Sequence, residues 1–142
     1  MKNMKNIKKF FLCTKHESIK MVLKKIIKNG TRTIVVIDPR RKLLGTLTEG
    51  DIQRFLLKNN NINLKITKIY NKNPQKINLK MIKNHNLIEK FINKQIGLIP
   101  VVNNKNILQN VITWSEVFKA EKSKSELKKI DVVIMAGGKG ER

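Results

Sequence analysis

Two short stretches set a hydroxyl and a carboxylate three residues apart: Thr48-Glu49-Gly50-Asp51 and Thr113-Trp114-Ser115-Glu116. At a helix start this spacing can do one of two things. The threonine hydroxyl can accept an orphan backbone N–H, a plain cap, so that Thr48 rather than Asp51 holds its helix. Alternatively, the same helix end works on a ligand. The N–H groups and dipole favour a phosphate, the acid accepts from the two hydroxyls of a ribose, and the threonine donates to a phosphate or ribose oxygen. Arg54 follows Asp51 by three residues, either as a phosphate partner or as a solvated helix residue. Trp114 either packs or stacks on a base. A third stretch, Ala136-Gly137-Gly138-Lys139-Gly140-Glu141-Arg142, follows the apolar run Asp131-Val132-Val133-Ile134-Met135. Glycines there let backbone N–H groups approach a phosphate, and Lys139 and Arg142 add positive charge. The single cysteine, Cys13, excludes an intrachain disulfide and a cysteine zinc site. His16 and His85 read as polar loop or helix-end residues, so no metal site is expected.

An internal repeat positions these groups. One constant offset carries Ile34-Val35-Val36-Ile37-Asp38 onto Ile99-Pro100-Val101-Val102-Asn103 without a gap. The same offset carries Leu43 onto Leu108, Thr48 onto Thr113, Asp51 onto Glu116, and Val22 and Ile26 onto Leu87 and Phe91. Each repeat reads as helix, strand, strand, helix behind a short extended lead-in. In the first, Thr14 and Glu17 fit a capping box. Ile19, Val22, Leu23 and Ile26 mark one helical face, and Asn29-Gly30 ends that helix. Residues 33–37 are a buried strand, 38–41 a turn, 42–47 the return strand, and a helix from Thr48 runs to about residue 58. In the second, Asn86 caps a helix to about residue 94. Residues 98–102 form a strand, with Pro100 suggesting an edge or a strand start. Residues 103–106 make the turn, 107–112 return, and Thr113 caps a short helix to about residue 120. Gly45 suits an unusual φ, and Asn110 stands in its place in the second repeat.

Composition narrows the class. The chain of 142 residues is 40% hydrophobic and 29% charged, which suits one ordinary domain or two small ones. A formal charge of +21 invites nucleic acid. Yet all but five of the cations are lysines, scattered without interleaved aromatics, and lysine, asparagine and isoleucine together fill nearly half of the chain. That pattern reads as a solvated basic surface, so nucleic acid is not the expected partner. No apolar run approaches the ~20 residues of a membrane span. The apolar stretch Phe10-Phe11-Leu12-Cys13 is too short for a signal peptide, so the expected location is the cytoplasm.

The repeats resemble CBS domains. Val36-Ile37-Asp38 with Leu44-Gly45-Thr46-Leu47-Thr48-Glu49-Gly50-Asp51-Ile52 looks like the second half of one. Ile99-Pro100-Val101-Val102 with Val111-Ile112-Thr113-Trp114-Ser115-Glu116 looks like its tandem partner. The resemblance spans roughly residues 7–120. It implies an α+β fold of two CBS domains, 1–60 and 61–120, each a small sheet with two helices, adjacent across a cleft. The family commonly binds adenosine or guanosine nucleotides there, which makes Thr48, Asp51, Thr113, Glu116 and Arg54 the expected contacts. Such pairs often assemble as flat homodimers. After a linker at 121–130, the strand and glycine-rich loop of 131–142 resemble the opening of sugar-phosphate nucleotidyltransferases. That resemblance assigns Ala136, Gly137, Gly138, Lys139, Gly140 and Arg142 to a nucleoside triphosphate. A transferase sheet and sugar site need at least ~200 further residues. The expected role is therefore the regulatory front end of a transferase making nucleotide-activated sugars, with any Mg²⁺ confined to the catalytic part. The alternative is a structural dimerisation module with an empty cleft.

Overall fold

The structure is a computed structural model describing residues 7–80 and 96–117. In it the repeat becomes two three-stranded sheets. A 3₁₀ turn at Lys9–Phe11 leads into β1 (Leu12–Thr14), α1 (Ile19–Asn29), β2 (Thr33–Ile37), β3 (Leu43–Thr48) and α2 (Glu49–Asn59). A second 3₁₀ turn, Ile66–Lys68, precedes β4 (Ile77–Asn78), β5 (Leu98–Val102) and β6 (Leu108–Thr113). A helical turn begins at Trp114. The sheet orders are β1-β2-β3 and β4-β5-β6, each with its central strand parallel to the first and antiparallel to the third. The expected helix from Asn86, the linker 121–130 and the tail 131–142 lie outside the described residues.

The repeat is visible in the backbone. Thr33 pairs with Thr48 as Leu98 pairs with Thr113, and both hairpins slip register at the same place, Val36/Ile37 and Val101/Val102. Arg41 and Asn106, equivalent under the repeat, both take left-handed φ values, 63° and 59°. The Asp38 side chain accepts the Lys42 N–H, and Asn103 accepts that of Ile107. The first strands break the correspondence. Cys13 pairs with Val36, but Val101, the counterpart of Val36, pairs with Ile77 and not with Asn78, the counterpart of Cys13. The second repeat is thus one residue longer between its first and second strands.

The two hairpins meet about a local two-fold axis. The Leu43 N–H donates to the Asn106 carbonyl and the Leu108 N–H to that of Arg41, both at 2.9 Å. The offset between the repeats turns each of these bonds into the other. Val35, Leu43, Leu98, Val102, Leu108 and Val111 form the core between the sheets. The opposite face of β2 packs Ile34 and Val36 with Ile19, Val22, Ile26 and Ile52 of the helices. Burial on both faces explains why β2 and β5 are continuous apolar runs without alternation.

Four local expectations are corrected or sharpened. The cap of α1 is Ser18, whose hydroxyl accepts from the Met21 N–H. Thr14 stays in β1, and its N–H donates to Glu17 Oε1 at 3.0 Å, closing a turn ahead of the helix. Pro100 sits inside the central strand. Its missing N–H is tolerated beside β4, whose two residues pair only with Val101 and Val102. Gly45 has no positive φ. It is required because a Cβ there would lie 2.1 Å from the Asn71 carbonyl, and Asn71 bridges Thr46 in both directions. The chain after α2 also stays on the first sheet. Ile19 N–H donates to the Leu64 carbonyl, Ile66 N–H to that of Glu17, and Ile66 is wholly buried. The expected domain boundary at 60/61 precedes this segment.

Candidate functional site

The two hydroxyl–carboxylate pairs sit where spacing places them, at the ends of β3 and β6. Thr48 Oγ1 accepts the Asp51 N–H at 3.1 Å, and Asp51 Oδ2 accepts the Thr48 N–H at 3.0 Å and its hydroxyl at 2.7 Å. The other carboxylate oxygen holds the Arg54 guanidinium. Asp51 is therefore part of a reciprocal capping box. Burial pushes its pKa up, but the bonds from the Thr48 side chain and backbone and from Arg54 outweigh this and hold it below its usual value. Glu116, one methylene longer, repeats the arrangement: Oε2 accepts the Thr113 N–H at 3.0 Å and its hydroxyl at 3.1 Å.

A cleft of about 970 Å³ opens between the repeats beside these caps. Its walls are the α1–β2 loop (Asn29, Gly30, Thr31, Arg32, Thr33), the start of α2 (Thr48, Glu49, Gly50, Gln53), and Ile96, Gly97, Trp114 and Ser115. Of the residues expected to touch a ligand, only Thr48 lines it, together with Trp114, for which the sequence leaves packing and stacking both open. Asp51, Thr113 and Glu116 lie behind the rim in their caps, and Arg54 is turned to solvent at 71% exposure. Arg32 and Gly97 lie in no motif, Asn29 is legible only as part of a helix stop, and Glu49 lies inside the Thr48–Asp51 stretch without a ligand role of its own. The repeat does give one pointer, because Arg32 and Gly97 occupy equivalent positions.

The α1–β2 loop is tied down tightly. The Asn29 side-chain amide donates to the carbonyls of Phe10 (3.2 Å) and Thr33 (2.9 Å), and its oxygen accepts the N–H (2.8 Å) and hydroxyl (2.9 Å) of Thr31. That knot presents Arg32 at a left-handed φ of 55°. Gly97 packs against the same loop so closely that a Cβ would lie 2.0 Å from the Thr31 carbonyl. The Arg32 carbonyl accepts the Glu49 N–H at 2.9 Å, and the Gly97 carbonyl accepts that of Trp114 at 3.4 Å. Thus both helix starts hang from equivalent points on the cleft floor.

Elsewhere, Cys13 is buried in the first core. Burial, with help from Glu17 and against Lys25, pushes its thiol up to about 12, which removes it from nucleophilic chemistry. Among the described residues no group of three or more His, Cys, Asp or Glu could hold a metal ion. Nor is any helix among them long and apolar enough to cross a membrane.

Residues 4–58 match the family model of the CBS domain. No curated protein matches the chain by sequence. The structure is similar to a CBS domain protein from Streptococcus pneumoniae TIGR4, with a TM-score of 0.66 and 16% identity over 84% of this chain and 82% of that one. It is also similar to the CBS domain pair of protein MJ0100 in complex with 5′-methylthioadenosine and S-adenosyl-L-methionine, with a TM-score of 0.61 and 24% identity over 79% and 89% of the two chains. CbpB in complex with c-di-AMP gives a TM-score of 0.60 and 21% identity over 79% and 76%. At these identities the likeness is one of fold, and the fold is that of a tandem CBS pair.

Proposed function

We propose that this chain is a nucleotide-sensing regulatory module whose inter-repeat cleft takes a purine nucleotide. Its occupancy acts on a sugar-phosphate nucleotidyltransferase domain whose opening signature resembles the apolar run and glycine-rich sequence of residues 131–142. The observation that carries the first half is the cleft. It is large enough for a nucleotide, flanked by a helix start, and offers both a cation (Arg32) and an indole ring (Trp114). The liganded structures that share the fold, MJ0100 and CbpB, were solved with molecules containing adenosine. The second half rests on the sequence of residues 131–142, through their resemblance to the transferase loop. On this reading Thr48 meets the ligand directly. Asp51, Thr113 and Glu116 reach it by exchanging cap bonds for ribose hydroxyls. The chain itself carries out no catalytic step. Association as a homodimer belongs to the same proposal and is supported by Ile27 on α1 and Leu57 on α2, 79% and 87% exposed.

A thermal-shift series with AMP, ATP, GTP and nucleotide sugars tests the module. A ligand at a hundred times its Kd adds about 2.7 kcal/mol to folding, a clear rise in Tm. No rise with any purine nucleotide would leave the dimerisation role as the better account, and sedimentation would then measure that role directly.

A further inference from the structure

The two halves of the cleft share one backbone but not one chemistry. Across the local two-fold, Arg32 corresponds to Gly97, Glu49 to Trp114, and Thr31 to Ile96. One rim carries both charges, and the other carries the indole and Ile96, with Ser115 as its polar member. These rims adjoin: Trp114 hangs from Gly97, Gly97 packs on the Thr31 carbonyl, and Thr31 precedes Arg32. The Arg32 side chain is 88% exposed, and its one acidic neighbour among the described residues, Glu49, stands at 4.0 Å. A solvated pair at that distance contributes little, so Arg32 is available to a stronger anion.

We propose that the cleft binds a single nucleotide across the two-fold axis, with its base on Trp114 and Ile96 and its phosphates on Arg32. This inference rests on the nucleotide reading above and adds a stoichiometry and a polarity to it. A second nucleotide in the symmetry-related pose would set its phosphates beside Gly97, which offers no charge. Its base would lie against the carboxylate of Glu49, which offers no ring. A planar base gains from the face of an indole, and a phosphate gains from a guanidinium whose backbone is already fixed. Glu49 opposes the phosphates and competes for Arg32, so it tunes the site against anions.

The test is calorimetric titration of the chain with ATP and with adenosine, followed in parallel by the fluorescence of Trp114, the single tryptophan. One ATP should bind per chain and shift the emission. Arg32→Asn, chosen because asparagine tolerates the left-handed backbone, should weaken ATP about ten-fold and leave adenosine within about two-fold. Glu49→Gln should tighten ATP and leave adenosine unchanged. Adenosine binding also verifies that each variant is folded. Two equivalent ATP sites, an unmoved tryptophan signal, or equal losses for ATP and adenosine in Arg32→Asn would overturn this arrangement while the nucleotide reading stands. Absence of heat and of any Tm shift with every purine nucleotide would overturn both.

Discussion

Replacing Asp51 with alanine tests whether the acid is a structural group before it is anything else. The carboxylate accepts the Thr48 N–H, the Thr48 hydroxyl and the Arg54 guanidinium, and its side chain is only 25% exposed. Removal leaves half of the capping box, because the Thr48 oxygen still accepts the N–H of residue 51. The Thr48 N–H, however, loses its partner, at roughly 1 kcal/mol for a half-buried donor. Loss of a negative charge from the first turn of α2 costs about 0.3–1 kcal/mol. The Arg54 pair, largely solvated, adds at most a few tenths. The expected destabilisation is about 2 kcal/mol, and Asp51→Asn, which keeps an acceptor oxygen, should cost roughly half of that. This replaces the simpler expectation that Thr48 rather than Asp51 caps the helix, so that removing Asp51 affects folding little.

The pH dependence carries a sign. The folded-state pKa of Asp51 is lowered, so its contribution is fully present above the unfolded carboxylate value of about 3.9 and is lost as pH falls through the folded value. Urea unfolding of wild type and Asp51→Ala, followed by helical circular dichroism, should therefore show a constant difference from pH 8 to 5 and a shrinking one toward pH 3. Equal stabilities at pH 7, or a gap that widens in acid, would refute the reasoning. Any loss of nucleotide affinity in this variant has to be read after its loss of stability has been subtracted.

Three further outcomes follow from the packing. Gly97→Ala forces a Cβ to within 2.0 Å of a backbone carbonyl that cannot rotate away. It should cost about 2–3 kcal/mol in urea unfolding, and a neutral result would mean that the repeats do not meet there. Asn29→Ala strips four hydrogen bonds from the α1–β2 loop; it should cost about 2 kcal/mol and accelerate amide exchange at Thr31, whereas unchanged exchange would show that the loop is held otherwise. Cys13, with its thiol raised to about 12, should resist iodoacetamide at pH 8 in the folded protein and react on unfolding in urea; rapid labelling of the native state would contradict its burial.

The fold was legible because period and repeat agreed. Residues 33–37 read as a buried strand from apolar, β-branched composition, the turn that follows implies a hairpin, and the constant offset carries both onto 98–112. Helix ends were legible where the cap had a second signal, as at Gly30 with its φ of 68°. They were not where two caps competed. Thr14 with Glu17 and Ser18 both offer a hydroxyl near the same N–H groups, and only the extension of β1 to Thr14 decides for Ser18. Gly45 shows a different limit. Its need for hydrogen in place of a side chain comes from Asn71, beyond the whole of α2, and no local pattern carries that information. The cleft was half legible for the same reason. Thr48 and Trp114 lie in a motif, whereas Arg32 and Asn29 owe their roles to a loop geometry set by distant partners.

The duplication explains why similarity and difference fall where they do. Positions near the local two-fold axis touch the other repeat at equivalent places, so a change at one must be accommodated by the other. Leu43 with Leu108, the left-handed Arg41 with Asn106, and the two register slips are of this kind, and at each the two repeats keep the same backbone role. Cleft-rim side chains contact the other repeat less and face open space, so their chemistry can differ without loss of fold. Glutamate against tryptophan at 49 and 114 is of this kind, whereas glycine at 97 is fixed by its close approach to the Thr31 carbonyl and leaves Arg32 without a charged counterpart. A symmetric frame carrying an asymmetric rim suits a ligand that is itself asymmetric, with an aromatic end and an anionic end. A purine nucleotide has that shape, and a symmetric ligand would leave half of these differences without a role.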